Sequence, residues 1–244
     1  MAQDTTQETA HESVDEHATA MMLVRVAARM QVFVEWFGQW GAYFILPLVL
    51  VTMWDVFSRK VVWVQIFLVE NVSTYFQSTM LQEMQWHFHT ALFALVLGYG
   101  FTRNRHVRVD LVRMHLKTKT QAWIEFIGTT LFMVPYTVVV IYFAWIFTLD
   151  SFLTNEISPS LVGLSHRWII KGVLFVGLIV ALLSGIAVWL QTVVVLFAPP
   201  NLRFDLMTLE WPEEKGGGVE GYKRVELNDD DDGTGQPESL KRTG

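Results

Sequence analysis

Two imidazoles facing each other at one depth between helices can ligate a haem, and His87 or His89 with His166 is the only pair here that could do so. All three fall at predicted helix ends and neither helix offers a second pair. A haem-bearing anchor of a respiratory enzyme is therefore the alternative reading, and no cofactor is expected. His106 and His115 sit in a basic segment, where a solvated or headgroup-facing role suffices. The chain has no cysteine, which removes disulfides, Cys-ligated zinc, iron–sulfur clusters and c-type haem attachment. The run Asp229–Asp232 lacks the spaced ligands and distal glutamate of a calcium loop, so no metal site is expected.

Charged residues offer a second chemistry. Asp55 and Arg59 stand four apart and meet on one face if the helix continues. With Glu83, Glu156, Arg167 and Lys171 they fall at or beyond one set of predicted helix ends. Local ion pairs closing those ends would explain them, and so would a polar layer that meets another protein. A proton or ion path needs polar groups at mid-depth, and only Thr129, Thr130, Thr137 and Ser184 approach it. Hydroxyls inside membrane helices ordinarily bond their own backbone or a neighbouring helix, so neither a self-sufficient channel nor an enzyme is expected.

The elements that must position these residues follow from composition. Of 244 residues 52% are hydrophobic and 17% charged, against about 25% charged in soluble domains, and mean hydropathy is +0.32. The expectation is an all-α integral membrane protein with four transmembrane helices at about 31–57, 81–102, 121–149 and 168–198. Trp36 to Trp54 carries no charge, nor does Phe126–Leu149 or Gly172–Ala198, and each is long enough to fill a hydrocarbon core of about 30 Å. The helix at 81–102 must accept Glu83 near one end. Pro47 predicts a kink in the first helix, Pro135 lies inside the third, and Pro199-Pro200 stops the fourth. Val61–Val69 is apolar but too short to cross, which suits an interfacial or re-entrant piece.

Orientation follows from lysine and arginine. Arg103, Arg105, Arg108, Arg113, Lys117 and Lys119, with Arg25, Arg29 and Arg203, face Arg59, Lys60, Arg167 and Lys171 on the other side. Both termini are then cytoplasmic. Trp36, Trp63, Trp86, Trp123 and Trp168 fall near predicted boundaries, as interfacial anchors do. The flanks are acidic: residues 1–20 hold five acids and no lysine or arginine, and residues 201–244 hold eleven acids against six bases. Segments 1–24 and 201–244 read as disordered cytoplasmic tails around a membrane domain at 25–200, with no secretory signal peptide. A basic middle between acidic ends does not suit nucleic acid. Ala94 with Gly98, and Gly177, Ala181 and Gly185, repeat every four residues and predict close helix contacts, within this chain or with another.

Glu83-Met84-Gln85-Trp86, an apolar helix ending at Tyr99 and then His106-Val107-Arg108-Val109-Asp110 resemble the small membrane subunit of TRAP (tripartite ATP-independent periplasmic) transporters. Asp55-Val56 with Arg59 adds to this. Glu156-Ile157-Ser158-Pro159, Gly163-Leu164 and Arg167-Trp168-Ile169-Ile170-Lys171 look like the branch labelled for mannitol or chloroaromatic compounds. The resemblance covers roughly residues 30–198. It implies a sodium-coupled uptake system for an organic acid or related solute in the bacterial inner membrane, with a periplasmic substrate-binding protein, a large elevator-type permease and this small subunit as its scaffold. Arg108 and Asp110 would pair or cap the adjoining helix and fix the loop against the large permease. The segment Val61–Gln82 departs from the family in being longer and more apolar than expected.

Overall fold

The computed structural model describes residues 2–105, 116–160, 162–198 and 204–209, with side chains from 17 onward. The chain divides into two units, 1–209 and 210–244, the second lying outside the described residues. Among the described residues every regular element is helical, as the sequence predicts. Three stretches are long and apolar enough to cross a membrane: His17–Lys60, Thr118–Leu153 and Trp168–Phe197.

The first stretch is two helices, α1 (Ala2–Ala42) and α2 (Ile45–Lys60). Pro47 has no N–H to offer the carbonyl of Tyr43, which instead accepts the Leu46 N–H at 3.1 Å. The expected kink is thus a break at Tyr43 and Phe44. The helix also begins at Ala2, inside the segment expected to be a disordered tail to residue 24. That segment contains no glycine or proline and is rich in Ala, Glu, Gln and Met, all strong helix formers.

Helix α3 (Val62–Asn71) follows after one non-helical residue, Val61, at φ −118° and ψ 70°. A short turn, Thr74–Phe76, then leads to α4 (Ser78–Thr102). Asn104 ends α4 at φ 53°, and the Arg105 N–H closes the last turn on Gly100 at 2.9 Å, the left-handed cap that asparagine tolerates. The segment 106–115 lies outside the described residues.

The third long stretch comprises α5 (Thr118–Gly128), a wide π turn (Thr129–Met133) and α6 (Val134–Leu153). The wide turn inserts one residue into the ladder. Buried positions record it: Ala122 and Thr129 are seven apart, Thr137 follows eight later, and Ala144 and Ser151 resume by sevens. Asn155 closes the end of α6 at φ 46°. Helix α7 (Trp168–Phe197) completes the set and is the centre of the molecule: α4, α1, α6 and α5 all pack on it, and α2 packs on α4.

The small-residue stripes meet each other. A Cβ on Gly177 would stand 2.5 Å from the Ala94 carbonyl oxygen, and one on Gly98 would stand 3.1 Å from that of Val180. The predicted packing faces therefore join α4 to α7 within this chain. Ala181 is buried on the same face, and Gly185 receives Met133 from the wide turn.

Beyond α7, Phe204–Leu209 differs from the disordered tail expected from residue 201. The buried amide of Gln191 donates to the Asp205 carbonyl at 3.1 Å and accepts the Met207 N–H at 2.9 Å. Met207 joins Ala27, Ala187 and Val188 in an apolar cluster at this end. An amide buried in an apolar helix must find partners, and this short segment supplies them.

Candidate functional site: a polar layer at one end of the bundle

The outer end of α2 carries Asp55, which is 2% exposed. Its carboxylate accepts both guanidinium N–H groups offered by Arg59, Nε at 3.1 Å and Nη2 at the second oxygen. Two further donors come from α4, Ser78 Oγ at 2.7 Å and Gln85 Nε2 at 3.2 Å. The predicted ion pair forms, but Asp55 does more than close its own helix: it ties α2 to α4. Ser78 and Gln85, seven apart on one face of α4, were the missing half of the motif.

Glu83 projects from α4 toward the loop between α6 and α7. One carboxylate oxygen accepts the Ser158 hydroxyl and the other accepts the Leu164 N–H at 2.6 Å. The loop folds back on itself here, with the Ser158 N–H on the Leu164 carbonyl at 3.3 Å. Gly163 lies so close that a Cβ would stand 2.8 Å from Glu83 Oε1.

Glu156 completes the layer. It pairs with Lys171 and, at 3.6 Å, with Arg167, whose N–H also reaches the Glu156 carbonyl at 3.4 Å. Lys171 is further held over the Phe147 ring, 3.5 Å from its centroid, a cation–π contact joining α6 to α7. The Lys171 ammonium, with Arg167 behind it, holds the Glu156 carboxyl below its ordinary range. A depressed carboxylate stabilises the fold above its unfolded pKa, and that contribution disappears as pH falls through the folded value. Proteolysis of the loop should thus stay slow at neutral pH and accelerate only below the usual glutamate range of about 4.3. In a Glu156→Gln variant the acid-induced step should vanish; its persistence would place the sensitivity on another group.

Among the remaining sequence candidates, Trp86 is exposed on α4 and Tyr99 lies against Gly38 where α1 crosses α4. His106, Arg108 and Asp110 lie outside the described residues. The histidine pair finds no support: His87 Nδ1 contacts the Glu83 carbonyl at 2.7 Å, and His166 Nδ1 contacts Ser165 Oγ at 2.9 Å. No group of three or more His, Cys, Asp or Glu placed to hold a metal occurs among the described residues. At the other end Arg103 pairs with Glu35 at 2.6 Å, linking α4 to α1.

The layer runs unbroken from α2 through α4 and the loop to α7, and its three carboxylates spend their bonds inside the chain. Such an arrangement fixes helix ends; it offers no open acid, base or nucleophile. The family model described as "Tripartite ATP-independent periplasmic transporters, DctQ component" matches residues 48–194. The chain belongs to this family. It is a small membrane subunit of a TRAP transporter. The match contains the whole polar layer and starts beside the Pro47 break, so α1 and the Gln191-bound segment 204–209 flank the family region. That is narrower than the resemblance read from sequence. No curated protein and no solved structure matches the chain.

Proposed function

We propose that this TRAP subunit is a static scaffold for the large permease and holds no substrate or ion site of its own. The carrying observation is the fate of the mid-depth hydroxyls. Thr137 Oγ1 donates to the Met133 carbonyl at 2.7 Å, Ser184 Oγ to Ala181 at 2.6 Å, and Thr130 Oγ1 accepts the Trp189 indole N–H at 2.9 Å. These three are committed to helix packing or to their own backbone, which supports a subunit that carries no solute itself. Meanwhile α5 and α6 pack chiefly on α7, and Leu131 and Phe132 of the wide turn with Tyr136 and Phe143 of α6 are exposed. A face of that size suits lipid and a second membrane protein.

In this reading the subunit sits in the bacterial inner membrane with both termini cytoplasmic. The lysine and arginine bias supports that orientation. Helix α4 serves as the fourth span, since its 25 residues extend about 37 Å. The transporter takes up an organic acid or related solute with sodium, delivered by a periplasmic binding protein. Family membership supports this system, and the half-exposed Arg59 and Arg167 side chains offer that protein a contact.

A pull-down in mild detergent, with partners identified by mass spectrometry, should recover a large multi-spanning permease and show no Soret absorption. Sodium-driven uptake in liposomes should require that permease. Flux through this chain alone, or a Soret band lost on replacing His87, would overturn the scaffold reading.

A further inference from the structure

Helix α3 is inside out for an aqueous setting. Its open side carries Val62, Trp63, Ile66 and Phe67, with Trp63 72% and Phe67 57% exposed, while Gln65 lies on the half-covered side. None of its residues is buried. Its main neighbours are α2 and the Thr74–Phe76 turn. Ten residues extend about 15 Å, half the hydrocarbon thickness, so the helix cannot cross.

Two observations say what covers it. First, α3 continues from α2 through the single residue Val61, and α2 belongs to a stretch apolar enough to cross the membrane. No linker carries α3 away from the bilayer. Second, charge and aromatic placement match a headgroup boundary: Arg59 and Lys60 precede the helix, Glu70 and Asn71 end its uncharged run, exposed Trp63 stands in its first turn and exposed Tyr75 follows it. Basic side chains pair with lipid phosphates, and tryptophan and tyrosine settle at that level.

We propose that α3 lies along the headgroup boundary of the leaflet at the Asp55 end, with Trp63, Ile66 and Phe67 among the upper acyl carbons and Lys60 at lipid phosphates. The occupant of the apolar stripe is the bilayer itself. This inference is independent of the scaffold reading. It gives a role to the apolar segment after α2, anchoring the connection between α2 and α4 at a fixed depth.

The absence of cysteine makes the test direct. Trp63→Cys, Ile66→Cys, Phe67→Cys and Asn71→Cys, each made singly in the full chain, would carry nitroxide labels in phosphatidylethanolamine–phosphatidylglycerol nanodiscs. Labels at 63, 66 and 67 should collide with oxygen in preference to a water-soluble nickel chelate, and the label at 71 should show the reverse. Adding the large permease should leave this pattern unchanged. Free access of the chelate to 63 and 67 would overturn the proposal. So would protection arising only with the permease, which would make the stripe a protein interface.

Discussion

Gly177→Val is expected to drive α4 off α7 and to destabilise the folded bundle by about 3 kcal/mol, the upper end for overpacking. The reason is what the new side chain would meet. Its Cβ would stand 2.5 Å from the Ala94 carbonyl oxygen and 2.7 Å from the carbonyl carbon, and backbone cannot rotate aside as a side chain can. In lipid the loss is sharper, because apolar area gives helices no reason to associate and close packing of small residues must do so. Gly185→Val provides the control: its Cβ would meet the Met133 side chain, whose flexible thioether can repack. Thermal unfolding in detergent should therefore rank Gly177→Val well below Gly185→Val. Equal melting of the two would mean the α4–α7 contact is looser than described.

The second large effect belongs to Asp55. Removing it in Asp55→Ala deletes the bonds from Ser78 and Gln85, and hydrogen bonds to a charged group contribute about 1.5–3 kcal/mol. The Arg59 side chain is 49% exposed, so it rehydrates and its pairing adds little. We expect a loss of about 2–3 kcal/mol for Asp55→Ala, less for Asp55→Asn, and less again for Arg59→Ala. The order matters more than the sizes. If Arg59→Ala matched Asp55→Ala in thermal unfolding, the carboxylate would be a local helix closure and not the tie between α2 and α4.

Helical spacing explains which parts could be foreseen. Asp55 with Arg59, and Gly177 with Ala181 and Gly185, are four apart, and that interval alone puts them on one face. The same rule left the partner open, because a stripe of small residues says that something approaches closely without saying what. Glu83 was visible as a misplaced charge in an apolar helix. Its acceptance of a loop hydroxyl and a loop N–H was not, since no periodicity governs residues 154–166. The Gln191 clasp was missed for a related reason: its partners are backbone groups, which every residue possesses. A lone amide in an uncharged run was the available signal.

The wide turn at Thr129–Met133 changes how this helix must be compared with its relatives. Counting by sevens from Ala122 and Thr129 arrives at Tyr136, which is 71% exposed, whereas the packing slot belongs to Thr137. One added residue rotates everything downstream by about 100°. An alignment that matches this stretch to an unbroken helix therefore has to open a single-residue gap between 129 and 133. Without it, every position from there to Leu153 is assigned to the wrong side, and an outward tyrosine is mistaken for a core residue.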